Sequence, residues 1–315
     1  MNVQRTPHEW SKEALFLKAQ RYAQAMVEAE SNSDWKYALW STFTLEMLIR
    51  CSISNISPTL IADGKSWYNI LYAVGKTPNQ KKYIPRSLDI ATLLDKAEGL
   101  FEGFTLEMQN FCISHIQKRN SELHSGDLPF DNLGSSKWVP MFFLVCKVLL
   151  EEMGESLGSF FGKPIEKEVN GYIDAFKEEN IKYTNNLINA HKTIWSNKSD
   201  DEKKTLSEQA KLIVTRNLGH RVICPSCSSS ALIRGEPVGS SFTQTSEDGI
   251  IEKQKMRPSV FECSACGLKI VGYSKLVVCD LGDCYTSTNT YDAKEYFGID
   301  IEEEYYNMME DNNEP

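Results

Sequence analysis

Long apolar runs are missing from this chain. No stretch approaches the roughly 20 residues needed to cross a bilayer, and the opening MNVQRTPHEW lacks the apolar core of a signal peptide. A cytoplasmic protein without membrane attachment is therefore expected. Glycine and proline are modest, at 18 and 11 of 315 residues, and form no repeat or low-complexity tract, which excludes fibrous and linker-dominated classes. A phosphate loop of the Gly-x4-Gly-Lys type is absent, and no acidic pair with a nearby lysine is defensible as a metal-dependent DNA nuclease site. Basic residues are outnumbered 34 to 43, and the net charge of −9 rules out nucleic-acid binding by the field of the whole protein. That deficit is local. Residues 295–315 hold eight acids and no base, so the other 294 residues sum to −1. The segment reads as an acidic tail, and any RNA contact has to come from a local patch.

What is present reads as α+β by domains. Residues 1–163 form an all-α helical bundle, 164–219 a helical connector and 220–294 a small β domain, with 295–315 as the tail. Thr6-Pro7-His8-Glu9 is a capping box with proline at the first helical position, opening a helix to about Glu30. A second helix follows Ser33-Asp34 and ends at Ser57-Pro58. Shorter pieces are expected near Trp67–Val74 and Ser87–Ala97. Thr105 caps a longer helix that stops at Ser125-Gly126-Asp127, and a last one runs from about Lys137 to Ser159. The connector carries a capping box at Ser199–Glu202. After Val222 the texture changes to cysteine pairs, glycines and β-rich runs such as Leu268–Tyr273 and Lys275–Val278.

Nine cysteines, an odd number without a secretion signal, point to reduced thiols. Cys224-Pro225-Ser226-Cys227 and Cys263-Ser264-Ala265-Cys266 each offer two thiolates from one tight turn, and together they complete a tetrahedral sulfur site for one Zn²⁺. Four thiolates leave no open position, so the zinc would be structural. The 35 intervening residues exceed the usual ribbon spacing, and a long hairpin through the polar stretch Gly239–Arg257 would account for them. A redox dithiol would need only one pair. Cys279 and Cys284, spaced x4, read as ordinary small apolar positions.

The remaining chemistry sits in Arg119-Asn120-Ser121-Glu122-Leu123-His124. Asn120 and His124 are four apart and share a helix face, while Arg119 lies about 140° round from His124 and must wrap its long stem toward the same cleft. Metal-free RNA cleavage needs a base for the 2′-hydroxyl, an acid for the leaving 5′-oxygen and a cation for the phosphate. A histidine titrating near neutrality and a guanidinium that keeps its proton are the minimum set. Here the sequence resembles the HEPN family of helical ribonucleases and toxins, whose signature is an arginine, a polar residue (often asparagine), three variable residues and a histidine near the end of a long helix. The resemblance covers roughly residues 1–160 through helix order and an acidic residue in the second helix, here Glu46. It implies catalytic roles for Arg119, Asn120, His124 and Glu46, and a homodimer through the helical domain that joins two motifs in one cleft. It also implies metal-independent endonucleolytic cleavage to a 2′,3′-cyclic phosphate, and a role as a toxin or antiviral-defence effector.

The bland readings stand beside these. Arg119 can pair with Glu122, His124 can cap a helix, and Glu46 can pair with Arg50 at i,i+4 instead of orienting Arg119 or Asn120 across the bundle. His115 matches no motif position and reads as a surface or interface histidine. Lys81-Lys82-Tyr83-Ile84-Pro85-Arg86 puts cations beside an aromatic, which suits an RNA backbone and a stacked base. The expected function is an endoribonuclease whose zinc ribbon recognises RNA or a partner, under the control of an inhibitory or activating protein. The alternative is a non-catalytic dimeric adaptor for nucleic acid or protein with the same structural zinc.

Overall fold

In the computed structural model, residues 8–79, 82–131, 133–246, 249–292 and 296–297 are described. Their contacts divide the chain into two compact units, Met1–Tyr183 and Thr184–Pro315. The first is helical and the second is built on a sheet, as an α+β chain organised by domains requires. The acidic tail beyond Phe297 lies outside the described residues, as does Thr6; the expected helix start at Thr6-Pro7 is not found, since Glu9 and Trp10 form a turn and the first helix begins at Lys12.

In the first unit, α1 (Lys12–Val27) starts on Ser11, whose hydroxyl accepts from the Ala14 amide. α2 (Trp35–Ile56) starts on Asp34, which accepts from the Lys36 amide, and stops at Ser57-Pro58. α3 (Trp67–Ala73) and α4 (Ile90–Leu100) are short, and α5 (Leu106–His124) is capped by Thr105 accepting from the Met108 amide. The apolar sequence after Trp138 is not one helix to Ser159. It divides into α6 (Val139–Glu151) and α7 (Leu157–Phe161), because the chain turns at Gly154 and Ser156 starts afresh with a capping box to Ser159.

α2 packs against α1, α4, α5 and α6. Its Leu45, Leu48, Ile49 and Ile53 are fully covered, and α6 meets them with Phe142, Val145 and Leu149. Each such burial stabilises by roughly 1.5–3 kcal/mol, so this seam fixes where the neighbouring polar side chains stand. α8 (Lys163–Ser196) adds Val169 and Ile173 to the same core. The first unit therefore runs to residue 183, whereas the sequence placed the division at 163. Polar composition concealed the packing, since a surface helix needs an apolar residue only every three or four positions.

Among the described residues, the second unit holds the end of α8, α9 (Asp200–Arg216) and six strands. The capping box at α9 is formed, Ser199 accepting from the Glu202 amide and Glu202 accepting from the Ser199 amide. The strands are β1 (His220–Ile223), β2 (Ser230–Pro237), β3 (Phe242–Ser246), β4 (Gly249–Glu262), β5 (Lys269–Val271) and β6 (Tyr285–Tyr291). All pairs are antiparallel in the order β1-β2-β4-β3. β4 is central and long: residues 256–262 pair with β2, 260–262 with β5, 249–253 with β3 and 250–256 with β6. The sheet thus curls along one strand. The β3–β4 hairpin falls within the polar excursion between the two cysteine pairs. Only part of the expected β-rich run after Cys266 is strand. Gly272 turns the chain, and Tyr273–Val278 forms α10, which buries Leu276.

Candidate functional site

Arg119, Asn120 and His124 occupy the last two turns of α5. The Arg119 guanidinium lies over the Phe43 ring, 5.5 Å from its centroid. Nη1 donates to Glu46 Oε2, while Nε and Nη2 donate to Asn120 Oδ1 at 3.2 and 2.9 Å. The other carboxylate oxygen, Glu46 Oε1, accepts from Arg50 Nε and Nη2 at 3.2 and 2.9 Å. Arg50 Nη1 reaches on to Ser87 Oγ (3.0 Å) and the Leu88 carbonyl (3.2 Å). Glu46 thus makes both of the contacts left open by the sequence, the local pair with Arg50 and the bond across to α5. One carboxylate between two permanent cations leaves the cluster with a net positive charge.

Glu122 is not Arg119's partner; the long stem turns toward α2. Asn120 and His124 are exposed. His124 stands one turn beyond Asn120 at the helix end, where Ser125 donates back to the Ser121 carbonyl at 2.8 Å. Among the described residues its exposed ring has no hydrogen-bond partner. The structure therefore joins Glu46, Arg119 and Asn120 directly and leaves His124 beside them on open surface.

His115 is not a surface histidine. It is 3% exposed, stacked on Phe111 with centroids 5.3 Å apart, and packed near Trp138 and Phe130. Ser41 Oγ donates to the Ala38 carbonyl (2.6 Å), so His115 Nε2 carries the ring proton and donates to Ser41 Oγ at 2.7 Å. Desolvation by burial, aided by the charge of Lys118, pushes its pKa down to about 3. This histidine stays neutral and serves the α2–α5 contact.

In the second unit the four thiols of Cys224, Cys227, Cys263 and Cys266 lie within 4.8 Å of one another. The Cys224–Cys266 and Cys227–Cys263 sulfurs are 3.6 Å apart, too far for disulfides of about 2.05 Å and suited to ligands of one metal ion. The two turns are built alike. Ser228 N donates to the Cys224 carbonyl and Gly267 N to the Cys263 carbonyl, at 3.0 and 2.9 Å. Both turns close through a left-handed residue, Ser228 at φ 62° and Gly267 at φ 74°. The crowded thiols compete for protons: hydrogen bonding from Cys224 and Cys263 holds Cys266 far below the ordinary thiol range, whereas Cys224 is pushed far above it. A cation would resolve that competition by taking all four as thiolates. Cys279 and Cys284 lie outside the cluster. Cys279 is half-buried and Cys284 exposed, so only the first resembles the small apolar position expected.

Two contributors escaped the sequence reading. Phe43 supplies the face beneath Arg119, and His191 on α8 bonds through Nδ1 with the carbonyl of Cys266 at 2.8 Å. Neither stands in any local motif; they meet their partners only through folding. Among the described residues no helix is long and apolar enough to cross a membrane. Comparison with protein-family models, with curated proteins and with solved structures found no match.

Proposed function

We propose that this protein is a metal-independent endoribonuclease of the HEPN kind, acting as a homodimer through its helical domain, with a zinc ribbon that recognises substrate or a partner. The observation that carries the reading is the Glu46–Arg119–Asn120 chain, set one turn from an exposed His124. In this reaction His124 takes the 2′-hydroxyl proton, the 2′-oxygen attacks phosphorus, and the P–O5′ bond breaks. The products are a 2′,3′-cyclic phosphate and a 5′-hydroxyl, whose oxygen is protonated by the second copy's histidine. Arg119 holds the charge that builds on the phosphoryl oxygens. Glu46 keeps the guanidinium in place, and Arg50 keeps Glu46 in place. The need for a 2′-hydroxyl makes the substrate RNA.

Zinc suits the cysteine cluster because Zn–S bonds of about 2.3 Å put tetrahedral sulfurs roughly 3.8 Å apart, close to the 3.6 Å found. A closed set of four thiolates assigns the ion to structure and leaves the chemistry to the helical unit. A role as a toxin or antiviral effector, restrained or triggered by another protein, follows from the same resemblance.

A binding-only adaptor is the second reading. It is favoured by the Arg119 side chain being only 14% exposed and already paired with a carboxylate. The two separate in one experiment: incubate a pool of cellular RNA with wild type and His124→Ala in buffer free of Mg²⁺. Fragments ending in 2′,3′-cyclic phosphate from wild type alone establish the nuclease. A folded dimer that cuts nothing, and whose expression harms cells no more than His124→Ala does, selects the adaptor.

A further inference from the structure

The basic fragment around Tyr83 is not absorbed by the cleavage chemistry, and it belongs to a larger feature. Residues 64–88 contain Lys65, Lys76, Lys81, Lys82 and Arg86 and no acid, in a chain whose net charge is −9. The fold gathers part of this segment on one side of the first unit. Ala62 bridges Ser87 in antiparallel fashion, and the Asp63 amide donates to the Arg86 carbonyl at 3.0 Å. The buried Asn69 on α3 accepts from the Tyr83 hydroxyl (2.6 Å) and the Arg86 amide (3.1 Å), and donates to the Asp63 carbonyl (2.8 Å). These bonds, with the Tyr68 ring 4.7 Å from Trp67 and 6.1 Å from Tyr83, tie the turn carrying Lys65 and Trp67 to the strap carrying Lys82 and Arg86. All four are exposed, Trp67 at 61%, and among the described residues none of the three cations is in an ion pair. Gln80 and Lys81 lie outside the described residues and form no part of the feature.

We propose that this surface seats a single RNA strand beside the cleavage site, with Trp67 stacking a base and Lys65, Lys82 and Arg86 contacting phosphates. The inference rests on the ribonuclease reading for its substrate. The segment is bounded by Asp63 and Asp89, whose carboxylates cap the Lys65 and Thr92 amides, and its exposed cations favour an anionic ligand; an exposed ring flanked by cations is the combination that grips a strand without reading its sequence. Position favours RNA over an anionic lipid surface. The basic strap ends at Ser87 and Leu88, both of which accept from Arg50, and Arg50 shares Glu46 with Arg119. A strand lying on the strap therefore ends next to the proposed site.

The test measures binding of the full-length protein to a 2′-O-methyl oligouridine twelve nucleotides long, which cannot be cleaved, across a range of salt. Trp67→Ala is expected to weaken binding roughly tenfold. Lys82→Ala with Arg86→Ala is expected to lower the slope of log affinity against log salt by about 1.4, since each phosphate contact on a single strand contributes about 0.7. Both variants change exposed side chains, and unchanged circular dichroism confirms that they fold. Affinity and salt slope equal to wild type in both overturn the seat, as does binding to phosphatidylserine vesicles with none to the oligonucleotide. The two proposals fail separately. Loss of binding in Trp67→Ala when wild type cleaves no RNA keeps the seat and removes the nuclease. Cleavage that persists with unaltered binding in Trp67→Ala does the reverse.

Discussion

His115 shows how burial changes what a residue does. The sequence offers a second histidine on the same helix, nine positions before His124, which matches no motif position and reads as a surface or interface residue. Packing makes one a neutral core residue with a pKa near 3 and leaves the other exposed. In the unfolded chain His115 titrates near 6.5, so between that value and about 3 the unfolded state binds more protons than the folded one. Stability from this residue is complete above pH 6.5 and falls as the pH drops, by about 1.4 kcal/mol per unit. Urea unfolding of wild type and His115→Phe between pH 7.5 and 4.5 should show the phenylalanine variant losing that part of the slope. Equal slopes would place the acid sensitivity elsewhere. The metal turns supply a second comparison. Gly267 and Ser228 hold equivalent left-handed positions, and a side chain in that region costs roughly 1 kcal/mol. Gly267→Ala should destabilise by about that amount, for His191 Cε1 at 3.9 Å from the added carbon presents no clash. Ser228→Gly should be neutral or stabilising; thermal melts of the metal-loaded protein decide.

α5 carries the candidate catalytic residues, and its beginning and end have different supports. Thr105 accepts from the Met108 amide at the start, and Cys112 and Ile116 bury the middle. The last turns hold Arg119 by its bonds to Glu46 and Asn120 and by the Phe43 ring beneath its guanidinium. Thr105→Ala should therefore cost about 1 kcal/mol of stability while leaving the His124 end as it is. A matching loss of RNA cleavage at a temperature where the variant is fully folded would contradict that separation. The helix and its cap were legible because an amphipathic stripe and a threonine before it are local signals. The break between α6 and α7 was not. The apolar sequence there continues through the turn, since both helices face the same core, and periodicity alone does not mark where one stops.

Each of the two units has its own core. The first is broad, with aliphatic residues from α2 and phenylalanines from α6 and from the segments around Phe101, Phe130 and Phe160. The second is small: among the described residues its core cluster has ten buried members, two of them the cysteines Cys224 and Cys263. A core of that size needs a staple, and the proposed zinc supplies it. A strong chelator should release about one zinc per chain and abolish the β signal, leaving the helical signal of the first unit in place. Loss of all structure together, or no loss at all, would refute a metal-dependent second unit. His191, which contacts the Cys266 carbonyl, belongs to the same assembly, and its place on a long polar helix gave no sign of that.

The sequence by itself determined the elements whose causes are local: helix caps, the paired cysteine turns and the Arg119–His124 spacing at a helix end. Each depends on residues within one or two turns of one another, and short-range physics carries them. Tertiary structure alone decided that Glu46 links Arg50 to Arg119, that His115 is buried, and that the first unit extends to residue 183. It also tied Asn69, two residues after Trp67, to Tyr83 and Arg86. These contacts join residues distant along the chain, 73 positions in the case of Glu46 and Arg119. Their geometry comes from how the apolar faces of whole helices fit together, which no local pattern encodes.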